Sequence, residues 1–332
     1  MWGNLRGWGM ASVILLFTVV GLFYLSRLNS LSEATWMPSE QARYLAAIAL
    51  PVDPHKLVNG MTDSGDAGDF YRAAIRAYEA KKSLYEGDHY DFKSDIDPDA
   101  FSHIFAGAKC AKSTLLTANP DQYLGYEDAF LEPLDALHKI ENAMGKRGMY
   151  LLRTNKAEEA RKYFEAVYFL GVKLFDERLV MEELDRGIGA MKDGIYGLHE
   201  MALAAKDDNR AAELQRQGDA LSDYFRNTFN PLGGLTHDLS SERPGNVFLL
   251  AEKGAERVWR VEAIREMGRM KWSVGQSATA ADQRGVARML RHWLAHPPDA
   301  HFDDVLRTVA QKALDVSHED VQNELDVNSQ HR

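Results

Sequence analysis

Hydrophobic residues recur three and four positions apart through most of the chain, which is the spacing of one face of an α-helix. The clearest example is the stretch KAEEARKYFEAVYFLGVKLF at 156–175, where a wide apolar stripe lies opposite a charged face. The stripe consists of Ala160, Tyr163, Phe164, Val167, Tyr168, Gly171, Leu174 and Phe175. No long run shows the period-two alternation typical of strands. The pattern predicts an all-α fold in which each helix buries one face.

The stretch DIDPDAF at 95–101 predicts the start of one of these helices. Asp97 is positioned as the N-cap and Pro98 occupies the first turn. The helix is expected to run past Leu115 and to end at Asn119 and Pro120. A calcium loop is the alternative for its three aspartates, but alanines occupy the places where an EF-hand needs glycine and glutamate. Helix capping therefore explains the aspartates better.

The N-terminal segment differs from the rest, because residues 7–26 contain no charged side chain. Twenty apolar residues in a helix match the hydrocarbon thickness of a bilayer, and Trp2, Trp8 and Tyr24 lie near the ends, where aromatic rings favour the membrane interface. A membrane anchor over residues 1–30 with a short cytoplasmic tail is expected, which places the body on the extracytoplasmic side, as in the periplasm. A cleaved signal peptide is the alternative, since SEA at 32–34 offers small residues for cleavage.

Segments rich in proline, glycine and small polar residues divide the remainder. They give a junction at 31–68, a helical module at 69–229, a linker or long loop at 230–246, a second helical module at 247–320 and a polar tail at 321–332. In the second module, the segment around Trp259 carries apolar residues on two sides, including Val258, Val261, Ala263 and Ile264. Such a helix is expected to have neighbours on both sides.

Both modules resemble known helical repeats. The segment MGKRGMYLLRTNKAEEARKYFEAV at 144–167 resembles a tetratricopeptide unit, with Gly148 as the small residue of the first helix and Ala160 and Phe164 as the small and aromatic residues of the second. The segment 281–314 resembles a HEAT-type repeat, with two amphipathic helices around a turn that contains proline and aspartate. The resemblance implies an irregular α–α superhelix, and scaffolds of that kind bind other proteins.

The charge balance narrows the class of partner. The chain has 39 Lys and Arg against 49 Asp and Glu, a formal net charge of -10. Such a field repels polyanions, so nucleic acid is not an expected partner. With a single cysteine, no intramolecular disulfide can form.

Three histidines in RMLRHWLAHPPDAH at 288–301 raise the question of a metal site. His292 and His296 have the spacing of zinc ligands on a helix, and His301 with Asp299 or Asp303 would complete the set. However, the motif lacks the acidic residue of HExxH, and histidines in a last helical turn also interact favourably with the helix dipole. No metal or other cofactor is therefore predicted.

Other candidate chemistry is sparse. Cys110 lies between Lys109 and Lys112, which would lower the pKa of an exposed thiol, whereas a lone cysteine is more often buried. No nucleophile elbow, P-loop or dinucleotide-binding motif is present, so no catalytic residue is assigned. We expect a membrane-anchored scaffold that binds a protein partner. The alternative is a membrane-tethered helical enzyme or a protein that binds a small ligand or metal.

Overall fold

The computed structural model describes residues 49–53, 63–85, 92–93, 96–118, 131–226, 244–272, 280–317 and 319. Within these ranges the chain forms ten α-helices and two short strands, which confirms the all-α prediction. The helices are α1 (Ala67–Ala80), α2 (Asp99–Ala108), α3 (Leu131–Arg153), α4 (Ala157–Glu177), α5 (Met181–Ala204), α6 (Asp208–Tyr224), α7 (Pro244–Lys253), α8 (Arg257–Met270), α9 (Ala280–Ala295) and α10 (Asp304–Asp315). The strands β1 (Asp63–Asp66) and β2 (Cys110–Lys112) pair in parallel.

The predicted anchor at 1–30, including the uncharged stretch 7–26, lies outside the described residues, as does most of the predicted linker. Among the helices that the structure describes, none has both the length and the apolar character needed to cross a membrane.

Helix α2 starts and ends differently from the prediction. Asp97 is not its N-cap, because the carboxylate of Asp97 accepts a hydrogen bond from the Tyr163 hydroxyl and lies 3.5 Å from Nε of Arg147. The extended residue Pro98 takes the N-cap position instead. The helix ends at Ala108, before the expected end near Asn119, and the chain continues as β2.

Two carboxylates, the partly exposed Asp66 and the buried Glu177, explain why α2 stops early. Asp66 caps α1 through Gly68 and also accepts hydrogen bonds from the backbone N–H of Thr114 (2.9 Å) and from its hydroxyl (2.8 Å). Glu177 accepts five hydrogen bonds, from Ser113 Oγ, Leu115 N, Leu116 N, Thr117 N and Thr117 Oγ1, at 2.7 to 2.9 Å. Backbone donors that bind these carboxylates cannot continue a helical ladder.

Glu183 lies beside Glu177 and is completely buried. Its pKa is raised well above the ordinary value of 4.5, first by burial and then by the charge of Glu177. The protonated Glu183 carboxyl therefore donates a hydrogen bond to Glu177 and accepts one from the backbone N–H of Leu179 (2.7 Å). The pair pins the 113–117 loop to the start of α5.

Helices α4 and α5 share the most extensive contact of the helix pairs that the structure describes, and glycines allow their backbones to approach. A Cβ atom placed on Gly171 would lie 2.5 Å from the backbone of α5, and one on Gly194 would lie 2.7 Å from the backbone of Tyr168. Glycine at these positions lets two helix backbones approach directly. The same pairing fixes one wall of the groove described below.

The second half of the chain packs around α8, which contacts α7, α9 and α10. Its apolar residues are buried on both sides, as the pattern around Trp259 predicted. Buried Arg260 donates to the carbonyls of Ala251 (3.0 Å) and Glu252 (3.1 Å) at the end of α7 and to Asp299 Oδ1 (3.1 Å) in the turn before α10. One continuous hydrophobic core extends through both halves of the chain.

Candidate functional site

A groove runs between α3 and α5, with α4 as its floor. The two walls run in the same direction, because Asp135 pairs with Arg186 near the starts of both helices (2.8 Å), while Gly148 and Gly197 near their ends both pack on Phe164. The groove contains a cavity of about 450 Å³. A second cavity of about 150 Å³ adjoins it toward the starts of the helices.

The floor and walls of the larger cavity are apolar and aromatic. Phe164 and Val167 of α4 form the floor, Met149 and Tyr150 come from α3, and Tyr196 comes from α5. Tyr196 is 59% exposed, although a large aromatic ring gains free energy from burial. The surface therefore offers a ring that an occupant of the groove would cover.

Glu141 of α3 and Asp193 of α5 line both cavities and mark the centre of the groove. The amide nitrogen of Asn142 donates to His138 Nε2 (3.0 Å), so the proton of the imidazole resides on Nδ1, which donates to Glu141 Oε2 (3.3 Å). The other carboxyl oxygen of Glu141, Oε1, is buried, and the protonated carboxyl group of Glu141 hydrogen-bonds Asp193. The centre of the groove is therefore a carboxyl pair, Glu141 and Asp193, with His138 beside it.

The environment raises the pKa of Glu141 from 4.5 to about 7. Burial is the main cause, since only 5% of the side chain is exposed, and the nearby Asp193 carboxylate adds to it. The hydrogen bond from His138 acts in the opposite direction. Glu141 therefore changes its charge near neutral pH, which is a property of many functional carboxyl groups.

Basic side chains lie on both sides of this acidic centre. Lys146 and Arg153 flank the larger cavity, and Arg186 and Lys192 line the smaller one. Arg186 pairs with Asp135 and with Glu182, and the Lys192 ammonium lies over the Phe225 ring at 5.9 Å from its centroid. The groove thus alternates in charge along its length.

Two glycines face the groove from opposite walls, Gly145 on α3 and Gly189 on α5. Apart from the backbone of its own helix, a Cβ atom at either position would have no described atom within 4 Å. Glycine inside a helix destabilises it by about 1 kcal/mol relative to alanine. Since no packing contact requires these two glycines, the space above them is open to an occupant.

The histidines singled out in the sequence lie far along the chain, at the turn between α9 and α10. His292 and His296 are exposed and their rings stack at 5.1 Å. The two aspartates considered with them have other partners, because Asp299 binds Arg260 and the backbone N–H of His301, and Asp303 caps α10 and pairs with Arg257. The described residues contain no group of three or more His, Cys, Asp or Glu placed to hold a metal.

Cys110 is buried in β2, with 3% of its surface exposed. The prediction had placed it on a helix, which is wrong because α2 ends at Ala108. Its Sγ atom contacts the carbonyl of Ala106 at 3.7 Å. The burial favours the structural interpretation of this cysteine over an accessible thiol.

The residues at the centre of the groove were not predicted from the sequence. One signal was present, since His138, Glu141, Asn142 and Gly145 share one helix face by their spacing of three and four. Asp193 could not be connected to them, because it lies on another helix.

In comparisons with known proteins, no family model, no curated protein and no solved structure matches the chain.

Proposed function

We propose that the chain is a membrane-anchored scaffold that binds a segment of a partner protein in the groove between α3 and α5. The groove is the observation that carries the proposal. Its lining residues on α3 extend from His138 to Arg153, which corresponds to about 22 Å of helix. An extended peptide of about seven residues has the same length. A long groove with an aromatic floor and alternating charge suits a polypeptide better than a compact metabolite.

Two packing features support an irregular superhelix of TPR-like and HEAT-like hairpins. In the first module, a Cβ atom on Gly148 would lie 2.7 Å from the Phe164 ring, so the small and aromatic residues of the proposed repeat pack directly on each other. In the second, the turn between α9 and α10 is bound to the preceding hairpin by Arg260 and Asp299. Neighbouring hairpins that share contacts in this way are typical of solenoids.

The proposed anchor at 1–30 would hold this groove near a membrane. The uncharged stretch 7–26 supports a single span, and its short N-terminal tail supports an orientation with the body outside the cytoplasm. A tethered scaffold meets its partners within reach of the bilayer, which raises their effective concentration. The partner is therefore proposed to be a protein of the same membrane or of the adjacent compartment.

Site-specific photo-crosslinking in native membranes tests the proposal. A benzophenone amino acid at position 196 lies in the groove, and the same amino acid at position 216, an exposed residue of α6, is the control. We expect position 196 alone to cross-link a defined polypeptide segment. The corresponding synthetic peptide should bind the wild-type chain and bind Gly145→Leu more weakly, because the leucine fills the cavity. Equal labelling from both positions, or peptide binding that is insensitive to Gly145→Leu, would overturn the proposal.

A membrane-tethered enzyme or small-ligand binder is the second candidate, and one observation favours it. The carboxyl group of Glu141, with its pKa raised to about 7, lies in a cavity beside His138, as a general acid or base would. Native mass spectrometry of the purified full-length chain distinguishes the two functions. A small molecule retained by the wild type and lost from Glu141→Gln would favour this second function.

A further inference from the structure

Four aromatic rings line the larger cavity of the groove, and together they are called the aromatic pocket: Phe92, Tyr150, Phe164 and Tyr196. Phe92 and Tyr150 form one side, where their ring centroids lie 5.8 Å apart in an edge-to-face arrangement. Phe164 is the buried floor, and Tyr196 is the exposed ring on the α5 wall. The thioether of Met149 lines the same cavity. Aromatic rings and thioethers both interact favourably with a further ring, so the pocket suits an aromatic side chain.

Contacts within the chain hold these rings in place. Buried Arg147 donates a hydrogen bond to the Phe92 carbonyl (2.9 Å), and its guanidinium lies over the Tyr150 ring at 5.8 Å from the centroid. On the opposite wall, a Cβ atom on Gly197 would clash with the Phe164 ring, so glycine at this position lets the ring lie against α5. Because the rings are already positioned, an occupant needs little reordering of the pocket in order to bind.

The charges around the pocket favour an acidic group beside the bound ring. Lys146 and Arg153 line the cavity, whereas the protonated Glu141 hydrogen-bonds Asp193, so that this pair carries one negative charge. The lining is therefore net positive, in a chain whose formal net charge is -10. Arg153 is exposed, and its side chain forms no hydrogen bond or ion pair within the described ranges. Since Asp193 repels a further carboxylate from the centre of the groove, the acidic group is expected at the Arg153 end.

We propose that the aromatic pocket binds an aromatic side chain of the partner polypeptide and that Arg153 binds a carboxylate close to it in the same segment. The inference rests on the proposed function, because it names the chemistry of the segment that the groove would hold. The open space at Gly145 admits the ring, and Tyr196 becomes covered when the ring is bound. The guanidinium of Arg153 can donate two parallel hydrogen bonds to a carboxylate.

The test is a selection of random displayed peptides on the full-length chain in detergent, with removal of peptides that also bind Gly145→Leu. The remaining peptides are expected to share an aromatic residue and a nearby aspartate or glutamate. Synthetic analogues separate the two contacts. Cyclohexylalanine in place of the aromatic residue keeps its shape without the π-system and should weaken binding about two- to tenfold. The amide in place of the acid should weaken binding about two- to fivefold.

Variants of the chain assign each effect to a residue. Arg153→Gln should bind the acidic peptide and its amide analogue equally, whereas Lys139→Gln, an exposed position on the same helix outside the cavity, should retain the preference for the acid. Tyr196→Leu keeps an apolar side chain but should reduce the preference for the aromatic ring over cyclohexylalanine. Arg153 and Tyr196 are both exposed, so both variants are expected to fold.

A charge exchange gives the sharpest readout. Arg153→Glu should bind the acidic peptide more weakly than wild type does and should prefer an analogue with lysine in place of the acid. Groove-dependent peptides that share no aromatic residue, or a preference for the acid that persists in Arg153→Gln, would overturn the inference but leave the proposed function intact. If no selected peptide depends on the groove, the proposed function itself fails.

Discussion

The close packing of α4 on α5 leads to a prediction with an internal control. Gly194 and Gly189 both lie inside α5, and an alanine substitution adds the same methyl group at each. At Gly194 the new Cβ would lie 2.6 Å from Cβ, 2.7 Å from Cα and 2.7 Å from N of Tyr168. At Gly189 it would meet no described atom of a neighbouring element within 4 Å. Two alanine variants of one helix therefore compare a methyl group that contacts α4 with one that contacts no neighbouring element.

The expected free energies have opposite signs. Alanine is more favourable than glycine in a helix by about 1 kcal/mol, so Gly189→Ala should stabilise the chain by about that amount. Overpacking costs about 1–3 kcal/mol, and at Gly194 the upper end applies because two of the atoms contacted belong to the backbone and cannot rotate away. After subtraction of the helix term, Gly194→Ala should destabilise by about 2 kcal/mol. The two variants should thus differ by about 3 kcal/mol.

Thermal unfolding followed by far-UV circular dichroism measures this difference. For a domain of comparable size, 1 kcal/mol shifts the melting temperature by about 2–4 °C, so the two variants should lie about 6–12 °C apart on either side of wild type. Gly189→Ala also narrows the groove and should weaken the binding of the synthetic peptide that corresponds to the cross-linked segment. Equal melting temperatures, or a Gly194→Ala variant more stable than wild type, would refute the proposed close contact of the helices.

Four further predictions follow from buried polar groups. Glu177→Gln should lower the free energy of unfolding by about 3 kcal/mol in denaturant titrations, because the glutamine amide cannot accept all five hydrogen bonds. Glu183→Gln should have little effect in the same titrations, because glutamine mimics the protonated acid. The pKa of Glu141 is raised in the folded state, so the protonated carboxyl group contributes stability that is fully present below pH 4.5 and is lost as the pH rises toward about 7. The free energies of unfolding of wild type and Glu141→Gln, measured across this range, should show the variant becoming more stable relative to wild type as the pH rises. Arg260→Met should destabilise by about 2–4 kcal/mol in the same titrations, since two carbonyls and a carboxylate lose their donor. Cys110 should react with a thiol reagent only on unfolding, and rapid labelling of the native chain would contradict its burial.

Helices could be predicted from the sequence because their signal is local. The spacing of apolar residues in 156–175 and around Trp259 identifies α4 and α8 and the faces that they bury. The end of α2 could not be predicted, because it depends on Glu177, more than sixty positions away along the chain. A carboxylate that takes the backbone donors of a distant loop leaves no periodic pattern. Local propensity was therefore overridden by a tertiary contact.

The groove illustrates the same limit for a functional site. The spacing of His138, Glu141, Asn142 and Gly145 groups them on one face of α3. Their role in the groove also depends on Asp193, which reaches them only because Gly171, Gly187 and Gly194 bring α4 and α5 into contact. Each of these glycines is a weak helix former and resembles the unconstrained Gly189 in the sequence. Only the three-dimensional packing separates the glycines that hold the wall in place from the glycine that leaves space beside it. The chemistry of the groove is thus encoded in the sequence, but its position depends on backbone contacts that side-chain patterns do not report.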